Sequence, residues 1–341
     1  MTEDASTDPD RLTALGWSDF FAGQIQSGED ALTPVRVASV HRSRLTAETG
    51  DGQVTLAPPH DTGTSDLAVG DWAICDMASE TLVRRLDRRT VLRRRTEDRA
   101  GRQLIAANVD TLFIVTSCND DFNPARLERY LAVVNEAGAE PVIVLTKIDA
   151  VPDPAPWRDQ ALALQRDLQV VTLNAKDPCS ARALAPWCGP GRTVALIGSS
   201  GVGKSTLLNT LANKSKGEAQ ATGGIRESDA KGRHTTTSRS LHAIATGGWI
   251  IDTPGMRTLH VSDAAGGLQT LFAEITELAP QCRFRDCTHA HEPGCAVLAA
   301  VADGRLSPDR LERWRKLDQE NRANTPVKTG RRGKRSEKSH R

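Results

Sequence analysis

The sequence has no apolar run approaching the roughly 18–20 residues that span a bilayer, so no membrane-spanning helix is expected. An excess of charge is also missing: 44 Lys plus Arg face 43 Asp plus Glu, for a formal net charge of +1. Attraction to nucleic acid or membrane by bulk charge is thereby excluded, and any such binding must come from local patches. Met1 to Asp10 is acidic and polar, without the basic and apolar regions of a secretory signal, and a cytoplasmic location is expected. Internal repeats are absent. A disulfide framework is not supported either, because the seven cysteines are odd in number and unevenly spread. Cys282, Cys287 and Cys295 crowd into one short stretch, as a metal site requires, while Cys75, Cys118, Cys179 and Cys188 are scattered.

What is present reads as a multidomain chain of 341 residues whose 38% hydrophobic content is enough for buried cores. Residues 1–33 form a partly ordered N-terminal arm, in which Leu12, Leu15, Trp17, Phe20 and Phe21 can make one short docking helix. Over residues 34–100 the short runs VRVASV, QVTLAPP, LAVGDWAICD and TLVRRL, separated by turn residues, predict an OB-like β-barrel. Arginines at 84, 85, 88, 89, 93, 94, 95, 99 and 102 end this stretch, either as a solvated face or as an edge that grips phosphates. Residues 101–265 alternate strands (TLFIVTS, PVIVLT, VVTL, TVALIG) with helices over 124–137, 156–168 and 204–211, then close with SLHAIA and GWIID. That alternation predicts a doubly wound α/β domain. Residues 266–324 predict a small, mostly helical domain with a Cys/His-rich centre, and residues 325–341 a disordered basic tail.

Gly198, Ser199, Ser200, Gly201, Val202, Gly203, Lys204 and Ser205 spell G-x-x-x-x-G-K-S directly after the strand TVALI and before a helix. The glycines let backbone N–H groups curl around phosphates, Lys204 reaches the β- and γ-phosphates, and Ser205 ligates Mg²⁺. Thr146, Lys147, Ile148 and Asp149 follow the strand PVIVL, where the Asp149 carboxylate can accept the two donors of a guanine edge. Adenine would leave that carboxylate unpaired. Lys147 would lay its stem on the base, and Asn174, Ala175 and Lys176, after VVTL, would offer the Ala175 N–H to the guanine oxygen. Asp252 and Gly255 form a D-x-x-G element after WII, for Mg²⁺ through water and for the γ-phosphate. Between the phosphate loop and this element, Gly232-Arg-His-Thr-Thr-Thr237 has the features of a loop ordered by Mg²⁺; Thr236 is the favoured ligand, with its neighbours still open.

The order of these motifs is unusual, because the base readers precede the phosphate loop. The G domain is therefore circularly permuted, and its γ-phosphate sensor leads directly into the C-terminal domain. There Cys282-x4-Cys287-x-His289-x5-Cys295 offers three thiolates and one imidazole, a closed tetrahedral shell for one structural Zn²⁺, with His291 as the spare imidazole.

Taken together, barrel, permuted G domain and zinc module resemble the bacterial ribosome small subunit-dependent GTPase A family over residues 35–320. The resemblance implies a GTPase that binds the 30S subunit and its 16S rRNA through barrel and zinc domains. It also implies stimulation by that subunit and a role in late 30S maturation; a monomer working with Mg²⁺ and GTP or GDP is expected. It carries phosphate binding over Gly198 to Thr206. The family usually has Asn where this chain has Thr146, which implies a weaker loop brace and lower guanine affinity. Met256 stands where many GTPases place a water-orienting glutamine, and the family's loop histidine, here His234, is the implied substitute. Slow intrinsic hydrolysis is then expected. The rivals are a P-loop kinase for a small acceptor and an RNA-binding assembly scaffold switched by nucleotide with little turnover.

Overall fold

The computed structural model describes residues 9–59, 63–95, 102–212, 239–252 and 261–325. His234, Thr236, Gly255, Met256 and residues 326–341 of the basic tail lie outside the described residues. Among the described residues no helix is long and apolar enough to cross a membrane.

The arm contributes two short helices, α1 (Pro9–Ala14) and α2 (Asp19–Ala22), where one was expected. Leu12, Leu15 and Phe21 are buried against Trp72, Ile74 and Leu86, whereas Phe20 faces outward. Five strands, β1 (Thr33–Val40), β2 (Leu45–Thr49), β3 (Gly52–Leu56), β4 (Trp72–Asp76) and β5 (Thr81–Arg85), run β3-β2-β1-β4-β5, and a bridge between Ala57 and Thr81 closes them into a barrel. Its interior holds Val35, Val37, Leu45, Leu56, Cys75 and Leu82. Several of the clustered arginines turn out to be internal fasteners rather than a free edge or a solvated face. Arg84 pairs with Glu29 at 2.6 Å, and Arg88 pairs with the buried Asp71 at 2.6 Å. A hairpin of β6 (Val91–Arg95) and β7 (Arg102–Ala107) follows, and its Leu92 and Ile105 pack into the neighbouring α/β core.

That core is built from β8 (Thr111–Ser117), α3 (Pro124–Ala137), β9 (Glu140–Thr146), α4 (Ala155–Leu162), β10 (Gln169–Thr172), α5 (Pro178–Ala181), β11 (Thr193–Ile197), α6 (Lys204–Leu211), β12 (Ser240–Ala243) and β13 (Trp249–Asp252). The strand order is β10-β9-β8-β11-β13-β12, with only β12 antiparallel to its neighbour. Every residue of β8 and β11 is buried, as strands covered on both faces require. Ser39 of β1 pairs with Ser240 of β12, so barrel and α/β sheet form one hydrogen-bonded surface. Arg36 reinforces this seam from inside: it donates to the Leu15 carbonyl in the arm and, at 2.6 Å, to Thr193 Oγ1 at the start of β11. Burial pushes its pKa down to about 10, partly offset by the Asp110 carboxylate.

Of the last helices, α7 (Ala265–Leu271) packs on α3, α8 (Ala273–Leu278) and α10 (Pro308–Asn324) pack on α7, and α9 (Ala296–Ala302) packs on α8. Gly267 makes the close approach possible, since a Cβ there would collide with the Ala132 carbonyl. Glu128, fully buried on α3, accepts from Arg310 at 2.5 Å and Arg313 at 2.9 Å on α10. Arg310 also bonds Glu274 at 2.7 Å and lies 4.1 Å over the Phe272 ring. Removing one member of a buried charge cluster strands the others. Glu128→Ala is therefore expected to lower unfolding stability by about 3–5 kcal/mol, read by denaturant titration. Val261, Asp263 and Ala264 are tied to the same helix region: their N–H groups donate to Glu320 (3.1 Å), Thr325 Oγ1 (2.8 Å) and Asn321 (2.9 Å).

Candidate nucleotide and metal sites

The carboxyl ends of β9, β10, β11 and β13 open on one edge of the sheet, the place where open α/β sheets bind ligands. They carry in turn Thr146–Asp149, Asn174–Lys176, the glycine-rich loop and Asp252. The loop occupies Gly198 to Gly203, and α6 begins at Lys204, with Ser205 and Thr206 in its first turn. Gly198 is irreplaceable at φ +149°, because a Cβ would run into the Val115 carbonyl of β8. The Lys204 ammonium lies over its own loop, donating to the Ser199 carbonyl.

Gly203 backs onto Ala175 and Thr146, so the phosphate loop and both base-reading loops are in contact. Thr210 Oγ1 on α6 donates to the Ala175 carbonyl at 2.8 Å, fixing that loop to the helix. Asn174 caps its own turn by accepting from the Lys176 N–H at 3.0 Å. Lys147 adopts φ +60°, and Asp149 is exposed on the 3-10 turn Ile148–Ala150. Thr146 is fully buried, and its hydroxyl reaches the Val202 carbonyl at 2.6 Å and the Thr116 carbonyl at 3.1 Å. A shorter side chain than Asn thus still braces the phosphate loop. Thr146→Val strands the buried Val202 oxygen and is expected to weaken GTP binding by about 5–20-fold, while Thr146→Ser stays near the parent, read by nucleotide titration.

One contact escaped the sequence. Tyr130, the single tyrosine, is buried on α3, and its side chain hydrogen-bonds Ser199. Burial raises its pKa, and the Ser199 bond pulls the other way. Tyr130 stands at helical spacing from Leu127, Leu131 and Val134, which by itself reads as core, and nothing local in the sequence points it at the phosphate loop.

In the C-terminal module the ligand atoms of Cys282, Cys287, His289 and Cys295 all lie within 4.8 Å of one another. Cys282 Sγ is 3.5 Å from His289 Nδ1 and 3.8 Å from Cys295 Sγ, and His289 Nδ1 is 3.4 Å from Cys295 Sγ. Tetrahedral bonds of standard Zn–S and Zn–N length put such atoms about 3.8 and 3.6 Å apart, so the donor set fits Zn²⁺. His289, not His291, supplies the imidazole. Burial holds His289 below its ordinary pKa, which favours the neutral, metal-ligating ring. Cys295 also caps α9, accepting from the Leu298 N–H at 3.4 Å, and Trp314 of α10 packs on the His289 ring at 5.4 Å.

A parallel sheet with a phosphate loop at its centre, base-reading loops on one flank, and the base readers earlier in the chain defines a circularly permuted P-loop GTPase. The family model "RsgA GTPase" matches residues 85–262, and the chain belongs to that family. It is a GTP hydrolase. The Small ribosomal subunit biogenesis GTPase RsgA of Mesorhizobium japonicum is 61% identical, with 98% of this chain and 97% of that protein covered. The Small ribosomal subunit biogenesis GTPase RsgA 2 of Vibrio vulnificus is 49% identical over 92% of this chain and 88% of its own length. The crystal structure of YjeQ from Thermotoga maritima shares the fold with a TM-score of 0.60 at 23% identity, over 85% of this chain and 98% of that one. So does YloQ, described as a circularly permuted GTPase, with a TM-score of 0.60 at 23% identity over 89% and 99%.

Proposed function

We propose that this GTPase serves small-subunit biogenesis by binding the 30S particle and coupling GTP hydrolysis to late maturation and its own release. The carrying observation is near full-length likeness at 61% identity to a protein named for small ribosomal subunit biogenesis. The division of labour is an OB-like barrel (34–100) and a zinc module (266–324) that contact 16S rRNA, either side of a GTPase core (101–265). The β6–β7 hairpin, whose strands flank residue 100, moves with the core because Leu92 and Ile105 pack there. The N-terminal arm (1–33) docks on the barrel, the basic tail (325–341) adds charge, and the chain works as a monomer in the cytoplasm.

In this account Asp149 and Ala175 read guanine, assisted by Thr146, Lys147, Ile148, Asn174 and Lys176. Backbone N–H groups from Gly198 to Thr206 hold the phosphates, and Lys204 stabilises charge on the transferred phosphoryl group. Ser205 and Thr236 hold Mg²⁺, which when bound neutralises phosphate charge. Asp252 and Gly255 sense the γ-phosphate, and His234 orients water once a partner orders its loop. Zn²⁺ held by Cys282, Cys287, His289 and Cys295 is structural. The clamp of Val261 to Ala264 on α10 supports coupling, because the chain leaving the γ-phosphate sensor is bonded to the helix that carries the zinc module. Co-sedimentation with 30S particles tests the release step: retention with a non-hydrolysable GTP analogue and loss with GDP are expected, and equal retention contradicts it.

A further inference from the structure

The zinc knuckle ends in an unusual surface. Between its first two cysteine ligands the chain reads Arg283-Phe284-Arg285-Asp286, all exposed, with Phe284 41% accessible. The Arg283 guanidinium lies 5.6 Å from the Phe284 ring, which holds one face of that ring beside a cation. Next to it opens a groove of about 570 Å³ between the knuckle, α7, α8 and α10, bordered by the metal ligands Cys282 and His289 and walled by Leu268, Ile275, Phe284, Arg285 and Trp314. That volume falls in the range of about 300–1,000 Å³ usual for small-ligand sites. The exposed ring is continuous with the apolar wall of this groove. Asp318 on the groove wall is paired with Arg322 at 2.8 Å, so its negative charge is locally balanced, while Arg285 lines the groove and Arg283 sits beside the Phe284 ring.

Aromatic surface with two guanidinium groups beside it matches one ligand chemistry best, a base with its phosphates. A neutral apolar peptide would use the walls but bring no anionic partner for the two guanidinium groups. We propose that the Cys282–Cys287 loop and its groove receive one unpaired RNA nucleotide, the base stacking on Phe284 and Arg283 and Arg285 contacting its phosphates. This rests on the proposed binding to the small subunit, and names the element of RNA that the zinc module reads. Duplex RNA is a poor fit, because its bases are stacked within the helix and present no free face.

The test uses the full chain with a short mixed-sequence single-stranded RNA, the same sequence as a duplex, and purified 30S particles. Bound zinc per chain is measured for every variant to show that the knuckle is intact. Phe284→Ala is expected to weaken single-strand binding by about 10-fold at unchanged zinc content, with Phe284→Trp restoring it. Arg283→Ala with Arg285→Ala is expected to weaken binding and to flatten the salt dependence by roughly 1.4 in log–log slope. Single-strand affinity untouched by Phe284→Ala, or duplex bound as well as single strand, overturns the proposal. Loss of 30S binding by Phe284→Ala with single-strand affinity unchanged also overturns it, and assigns the surface to a protein partner. Failure of the parent chain to co-sediment with 30S particles is a separate result, which removes the subunit-binding account while the oligonucleotide comparison still decides the stacking site.

Discussion

Replacing Lys204 with alanine is expected to lower GTP turnover by about 10²–10³-fold with little change in stability. The ammonium sits at the start of α6 and donates to the Ser199 carbonyl of the loop, and in the proposed role it acts on the phosphate charge there. A preorganised cation stabilises the transition state without reorganising at the moment of reaction, which is why its loss acts on the rate. The fold does not depend on it, because the buried residues of α6 are Leu207, Leu208 and Leu211. Single-turnover hydrolysis measured beside thermal unfolding separates these effects. Turnover within 10-fold of the parent would remove Lys204 from catalysis.

Stripping the metal is expected to unfold the segment from Cys282 to Cys295 while the GTPase core stays folded. Apart from the four ligands little apolar material holds that segment, since Arg283, Phe284, Arg285, Thr288 and Ala290 are all exposed. In so small a module metal binding supplies the folding free energy. The core has its own apolar interior around β8, β9 and β11 and should keep basal turnover. Chelation, or Cys295→Ser, should release one zinc per chain and open the segment to protease. It should also reduce 30S binding by at least about 10-fold, in line with the loss of a structural site. Cys295 is the sharper target because it is both ligand and cap of α9. Protease resistance that survives complete metal loss would contradict a structural role.

Those two predictions rest on features that were legible in the sequence, and the reason is local. The helix after the phosphate loop was expected over residues 204–211 and is found at Lys204–Leu211, because a glycine turn and a leucine-rich periodicity fix both ends. Cysteine spacing likewise defined the metal cluster and favoured His289 over His291, and the geometry agrees. Where the signal was weak, elements went unread. β2 buries Leu45, Ala47 and Thr49 on one face, and the latter two carry little apolar signal. The expected helix over 156–168 stops at Leu162, and Asp167 takes φ +58°, a left-handed conformation that continues no helix. The β6–β7 hairpin was masked by its arginines, although Leu92 and Ile105 on it are buried.

Long-range pairing accounts for the rest. Glu128 and Arg310 are 182 residues apart, and Arg36 and Thr193 are 157 apart, so neither contact leaves a trace in local pattern. Yet these contacts decide how the parts are joined. α3 carries Tyr130 against Ser199 of the phosphate loop, and Glu128 and Glu136 against the C-terminal helices. A single helix therefore touches both the phosphate loop and the C-terminal helices, as the proposed link between hydrolysis and subunit binding requires.

The most direct measurement is GTP turnover by the purified chain, with and without purified 30S subunits, and with ATP as control. The account predicts slow hydrolysis alone, strong stimulation by 30S particles, and no comparable response with ATP. Unstimulated turnover in the presence of 30S, or equal use of ATP, would contradict a GTPase switched by the small subunit.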